Sequence, residues 1–156
     1  MRGALVQLIT AQSVPNSYYS SSYTYLQFAN SAFYDTDGIY DTVNKDRLIV
    51  PAALDGMWAK VKISVRWNQT GGYRVQILPT RWDAAQQVDN LSAYPACAPD
   101  NRLFIGGTTQ DHCSETHPLQ LHTGDYFRAA AWQSQQTGAG PSLNVLAGSF
   151  SLEILP

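Results

Sequence analysis

Met57-Trp58-Ala59-Lys60-Val61-Lys62-Ile63-Ser64-Val65-Arg66-Trp67 decides the fold class. Its odd positions are apolar throughout, and Trp58, Lys60, Lys62, Ser64 and Arg66 stand between them. A period of two sustained over this run predicts a β-strand with one buried and one mostly polar face. On a helix the same residues would scatter round the circumference. Asn68-Gln69-Thr70-Gly71-Gly72 supplies turn chemistry, and Tyr73, Val75 and Ile77 resume the alternation until Pro79. The two runs are therefore expected to form a hairpin that Pro79 ends.

The same period returns towards the C-terminus. Leu119 and Leu121 flank Gln120, His122-Thr123-Gly124-Asp125 turns the chain, and Phe127, Ala129 and Ala131 alternate with Arg128, Ala130 and Trp132. A loop over Gln133 to Pro141 precedes a last strand with Phe150, Leu152 and Ile154 on one face. Earlier strand-like runs lie at Leu5 to Ile9, Tyr25 to Phe28 and Arg47 to Val50, with a tyrosine-rich exposed loop around Ser17 to Ser22. Ala84 to Val88 reads as a helical turn and Tyr94 to Arg102 as loop. No segment carries a sustained helical period, a heptad or an internal repeat. Many short strands separated by loops mean an all-β sandwich or barrel.

A chain of 156 residues fits one domain and can bury a core without staples. Charged residues make up 14% of it, against about 25% in ordinary soluble domains. Ser, Thr, Asn, Gln and Tyr supply the missing polarity, which suits packing against copies of itself or against sugars, and also suits any strand-rich chain. A net charge of -2 gives no electrostatic case for nucleic acid or an anionic membrane. The apolar run Ala4 to Ala11 is far too short for bilayer insertion, and Arg2 alone ahead of it makes a poor signal peptide. Met1 thus reads as a native start, made in the cytoplasm. Cys97 and Cys113 are a possible disulfide closing one loop, with their geometry open.

Four segments, in order, resemble the complement/tumour-necrosis-factor-like jelly roll. They are the turn Tyr34-Asp35-Thr36-Asp37-Gly38-Ile39-Tyr40-Asp41, the strand Arg47-Leu48-Ile49-Val50-Pro51 leading to Asp55-Gly56-Met57-Trp58, Leu121-His122-Thr123-Gly124-Asp125-Tyr126-Phe127, and Gly148-Ser149-Phe150-Ser151-Leu152. Gly38 and Gly124 are expected at positive φ in tight turns, and Asp125 is expected to cap the turn it follows. The version here resembles those on phage or phage-like particles, in tail fibres, head fibres and spikes. The resemblance implies an antiparallel jelly-roll β-sandwich that assembles as a homotrimer round an apolar axis and binds or displays rather than catalyses. It implies a virion-surface location, other virion proteins as partners and bacterial surface polysaccharide as ligand. Residues 1–16 are expected to be an N-terminal strand or docking segment, and 17–156 the jelly roll. A purely architectural virion base or cap protein, and a free bacterial ligand-binding module of the same fold, are the alternatives.

Enzymatic chemistry finds little support. There is no Gly-x-Ser-x-Gly elbow or His-Glu-x-x-His, and Glu115 and Glu153 are the only glutamates. Asp35-x-Asp37-Gly38 with Asp46 resembles a calcium loop, but its Gly comes too early and the closing Glu is absent. His112, Cys113, His117, His122 and Cys97 lack the tight spacings of a zinc site. Neither metal nor cofactor is expected. Under a bacterial-virus origin the sequon at Asn68 is empty. Sugar recognition has better candidates, since aromatic rings stack on pyranose faces while Asp, Asn and Gln bond hydroxyls. Trp82 and Asp83 follow Pro79, Tyr94, Asp100, Asn101 and Arg102 lie in the next loop, and Trp132 with Gln133 is expected on the outer face of its strand. Trp58 and Trp67 are assigned instead to the core or a subunit interface.

Overall fold

A computed structural model describes residues 2–16, 23–29, 31–68, 73–90, 102–103, 109–135 and 142–156. The strands run β1 (Gly3–Leu8), β2 (Gln12–Val14), β3 (Thr24–Tyr25), β4 (Tyr34–Asp35), β5 (Arg47–Ile49), β6 (Trp58–Asn68), β7 (Tyr73–Asp83), β8 (Val88–Asn90), β9 (Arg102–Leu103), β10 (Thr109–Glu115), β11 (Leu119–Gln120), β12 (Tyr126–Gln135) and β13 (Leu143–Ile154). A single 3-10 turn, Ala52–Leu54, is the only helical element among the described residues.

Two antiparallel sheets carry these strands. The first has the order β10-β6-β13-β1-β4, with β11 added on β6 and β2 on β13. The second has the order β3-β12-β7-β8, with β5 on β12 and β9 on β7. The longer strands β6, β7, β10, β12 and β13 thus alternate between the sheets along the chain, as in a jelly roll. Residues 3–8 pair with β13 on one side and β4 on the other, so the N-terminal segment is built into the first sheet.

The expected hairpin does not form. β6 lies in the first sheet and β7 in the second, and β11 and β12 are divided the same way. Alternation fixes which face of a strand is buried, but the core-facing residues of a hairpin and of two opposed strands alternate alike. Ala59, Val61, Ile63, Val65 and Trp67 meet Val75, Ile77, Phe127, Ala129 and Ala131 across the sandwich, and all are essentially inaccessible. Nor does Pro79 end its strand. β7 continues to Asp83, because β9 pairs Arg74 and Val75 while β8 begins pairing at Arg81. Pro79 falls in the interval between them, where a missing donor is tolerated.

The last strand needs one adjustment to reach the core. Leu143 and Val145 point inward at odd positions, whereas Phe150 and Leu152 do so at even ones. A bulge between Val145 and Ala147 absorbs the change of phase. Just beyond it, Gly148 lets the strands close up, since a Cβ there would stand 2.7 Å from the Ser64 carbonyl oxygen. No side chain but hydrogen fits that approach.

Candidate functional site

The turn before β12 ties the terminal end of the sandwich together. Gly38 and Gly124 adopt φ of 69° and 85°, as their turns require. Gly124 donates its N–H to the Val50 carbonyl at 3.0 Å, and Val50 donates to the Asp125 carbonyl at 2.8 Å. Asp125 does more than finish this turn. Its carboxylate is buried, accepts from Arg81 Nε at 2.5 Å and from the Ala84 N–H at 2.9 Å, and so locks the end of β7 to the start of β12. Asp55 holds the same turn from outside, accepting from the Thr123 N–H at 2.8 Å, a bond that keeps its pKa below the usual value.

Outside the second sheet lies a layer of rings and guanidinium groups. Trp82 and Tyr126 face each other in register and stack at 5.7 Å with planes 10° apart. Arg47 lies 4.4 Å above the Tyr126 ring, and Arg128 sits 3.5 Å from the Tyr25 ring and 5.5 Å from Tyr126. Asp46 accepts from Arg47 Nε at 3.1 Å and reaches Arg128 at 3.9 Å. All these side chains are half-buried, and they share the outer face with Leu78, Thr80 and Ala130, which are closed to solvent. Cation–π contacts in such a semi-dry row are worth about 1 kcal/mol each.

Among the described residues, the outside of the first sheet carries no such row of rings. Arg66–Asp111 forms an ion pair at 2.7 Å in the open and Lys60–Glu115 a half-buried one at 2.6 Å, and the Arg66 guanidinium holds the Asp111 carboxyl below its usual pKa. Trp58 is 53% exposed there, which places it on the surface, whereas Trp67 is in the core. A groove of about 320 Å³ runs over Ser64, Arg66, Asp111, Ala147, Gly148 and Ser149.

The candidate sugar residues are split by this architecture. Trp82 and Asp83 lie at the end of the sandwich where residues 2 and 155 also pair with their neighbours. Asp83 is engaged with its own backbone, accepting from the Ala85 and Gln86 N–H groups at 2.9 Å to shape the turn into β8. Trp132 lies opposite Gln76, six residues along β12 from Tyr126, and is half-buried on the same outer face. That separation is about 20 Å along a strand. Arg102 opens β9 opposite Val75, near the Trp132 end. Gln133 is corrected: it is fully buried, its phase being that of Phe127 and Ala131, and its amide donates to the Val14 carbonyl at 3.2 Å. Tyr94, Asp100 and Asn101 lie outside the described residues, as does Cys97, while Cys113 is exposed on β10.

The metal-like clusters are otherwise engaged. Asp35 accepts from the Ile39 and Tyr40 N–H groups at 2.9 Å each, and Asp37 is bound by Arg2 Nε at 2.9 Å, which lowers its pKa. His112 faces the core of β10 and Cys113 the opposite side. Among the described residues no three His, Cys, Asp or Glu side chains gather as a metal centre. The sequence reading missed Tyr25, Arg47, Tyr126 and Arg128. For Tyr126 and Arg128 the signal was the second phase of β12, which alternates against Phe127, Ala129 and Ala131; nothing local marked Tyr25 and Arg47.

The topology has close counterparts among solved structures. The chain superposes on the globular domain of zebrafish complement 1qA protein with a TM-score of 0.54 at 10% identity, covering 100% of this chain and 98% of that one. It has the complement/tumour-necrosis-factor jelly-roll fold. Murine APRIL at pH 5.0 gives a TM-score of 0.57 at 11% identity, and at pH 8.5 a score of 0.54 at 12%, each covering 96% of this chain and 98% of that one. No protein-family model and no curated protein matches the sequence. At such identities the shared property is the fold, carried by topology and core phase.

Proposed function

We propose that this chain is a non-enzymatic, homotrimeric subunit of a phage or phage-like particle, and that it helps the particle attach to a host surface by binding glycan. The observation that carries the binding part is the rigid outer face of the second sheet, with Trp82 at one end and Trp132 at the other. Half-buried rings on paired strands are preorganised, so a sugar meeting them orders little. The low charge of the chain removes competing ionic partners.

A second reading has its own support. Trp82, Tyr126 and the two arginines stack on one another, so that row already satisfies its ring faces. This favours an architectural virion protein that meets only other proteins. A glycan array carrying host capsule and lipopolysaccharide separates the two. The attachment reading expects binding that Trp132→Ala or Trp82→Ala lowers at least tenfold; silence across the array rejects it in favour of the architectural role. Peptides of this chain in purified particles from the source culture are expected under both, and their absence leaves the free binding module.

A further inference from the structure

The rings on the outer face of the second sheet are engaged with one another, but one guanidinium beside them keeps an open edge. β12 runs between β5 and β7, so Tyr126 has Arg47 on one side and Trp82 on the other. Trp82 stacks on the Tyr126 ring at 5.7 Å, and the Arg47 guanidinium carbon lies 4.4 Å from the centroid of that ring. The backbone beneath Arg47 is held from both sides. Residues 47–49 pair with β12, while Ile49 donates to the Ile39 carbonyl at 2.7 Å and the Asp41 N–H reaches the Arg47 carbonyl at 3.4 Å. Arg47 thus stands on a fixed base with a ring under its planar head.

That head makes one hydrogen bond among the described residues, from Nε to Asp46 at 3.1 Å. Its two Nη groups make none there, and the side chain is 24% exposed. The nearby carboxylates are engaged elsewhere. Asp46 is shared with Arg128, which it reaches at 3.9 Å. Asp41 accepts from the Val43 and Asn44 N–H groups at 2.9 Å and from the Asn44 amide at 2.8 Å, so both its oxygens serve their own turn. A planar fork with two parallel N–H donors matches a carboxylate better than a neutral hydroxyl. Trp82 stands two strand spacings from β5, roughly 10 Å away, and Tyr126 is its one ring contact among the described residues. Linked sugars lying across the strands therefore meet the fork and the indole with successive units. We infer that the glycan bound at this end of the face carries a carboxylate, as a uronic acid does, held by the two Nη groups of Arg47 while the adjoining unit lies on Trp82. This rests on the attachment reading above and names its class of sugar.

Bacterial polysaccharides containing uronic acid provide the test, each printed on an array beside a copy whose carboxyl groups have been reduced to alcohols. At least one acidic form is expected to bind at least tenfold more tightly than its reduced copy, and the advantage shrinks as salt is raised. Arg47→Gln, with its β-sheet circular dichroism unchanged, is expected to erase that preference. Arg47→Lys keeps the charge and the stem without the fork, and is expected to recover only part of it. Equal binding of native and reduced forms by the unaltered chain overturns the acidic class while attachment stands. A preference that survives Arg47→Gln, or returns in full with Arg47→Lys, overturns the two-bonded contact to this side chain. Silence across the whole array, neutral glycans included, overturns the attachment reading itself.

Discussion

The two outer faces of the sandwich solve the same problem differently. The outer face of the second sheet is closed: Thr80 and Ala130 are 1% and 0% exposed on the face where Trp82, Tyr126, Arg128 and Tyr25 pack together. Among the described residues the first sheet carries no such layer of rings, with Trp58 and the Arg66–Asp111 pair exposed and a hollow at its centre. Where a sheet supplies its own second layer, stability is local. Where it does not, the surface is free for a partner. Each variant below strains that contrast from one side.

The largest effect is expected beneath the closed face. Asp125→Ala leaves Arg81 charged and buried without its carboxylate, costing about 3–5 kcal/mol. For a domain of this size that lowers the Tm by about 6–20 °C in a calorimetric scan. Tyr126→Ala removes the ring shared by Trp82, Arg47 and Arg128. A loss of about 2–3 kcal/mol in denaturant unfolding is expected, and a loss under half that would mean the layer is ornamental.

Acid should act more gently. Asp37 is held below its usual pKa chiefly by its hydrogen bond from Arg2, and Asp111 by Arg66. Burial pushes Asp41 upward, but bonds from the Asn44 and Val43 N–H groups and the Asn44 amide outweigh it. A carboxylate with a lowered folded pKa contributes stability above its unfolded value of 3.8, and loses it as pH falls through the folded one. The Tm is thus expected to stay flat from pH 7 to about 5 and to fall below about 4. A decline already under way near pH 6 would point to other groups. The smallest effect belongs to the open face: Arg66→Ala breaks a solvent-exposed pair and should leave the Tm unchanged within error, at low and high salt alike.

Much of the fold could be read from residues 57–67, because a buried face repeated every second residue admits one secondary structure. What that period could not supply was the partner of each strand. β6 and β7 look like a hairpin in sequence and face each other across the core in fact, since both arrangements bury the same positions. The order of the Gly38, Gly124 and Gly148 segments carried the topology instead, each glycine standing where a turn or a close approach demands it. Asp125 shows the limit of turn chemistry. Its capping role was legible, while its bond to Arg81 was not, for no local rule links positions so far apart. Gln133 failed for a related reason. It was assigned to a loop, where phase has no meaning, but β12 runs through it and continues the alternation inward.

Light scattering on the purified chain probes the bare face most directly. A homotrimer predicts a mass of about 52 kDa, three times 17.2 kDa, that holds on dilution to micromolar concentration. A mass of 17.2 kDa at every concentration would mean that the first sheet needs no cover, and the contrast between the faces would lose its meaning.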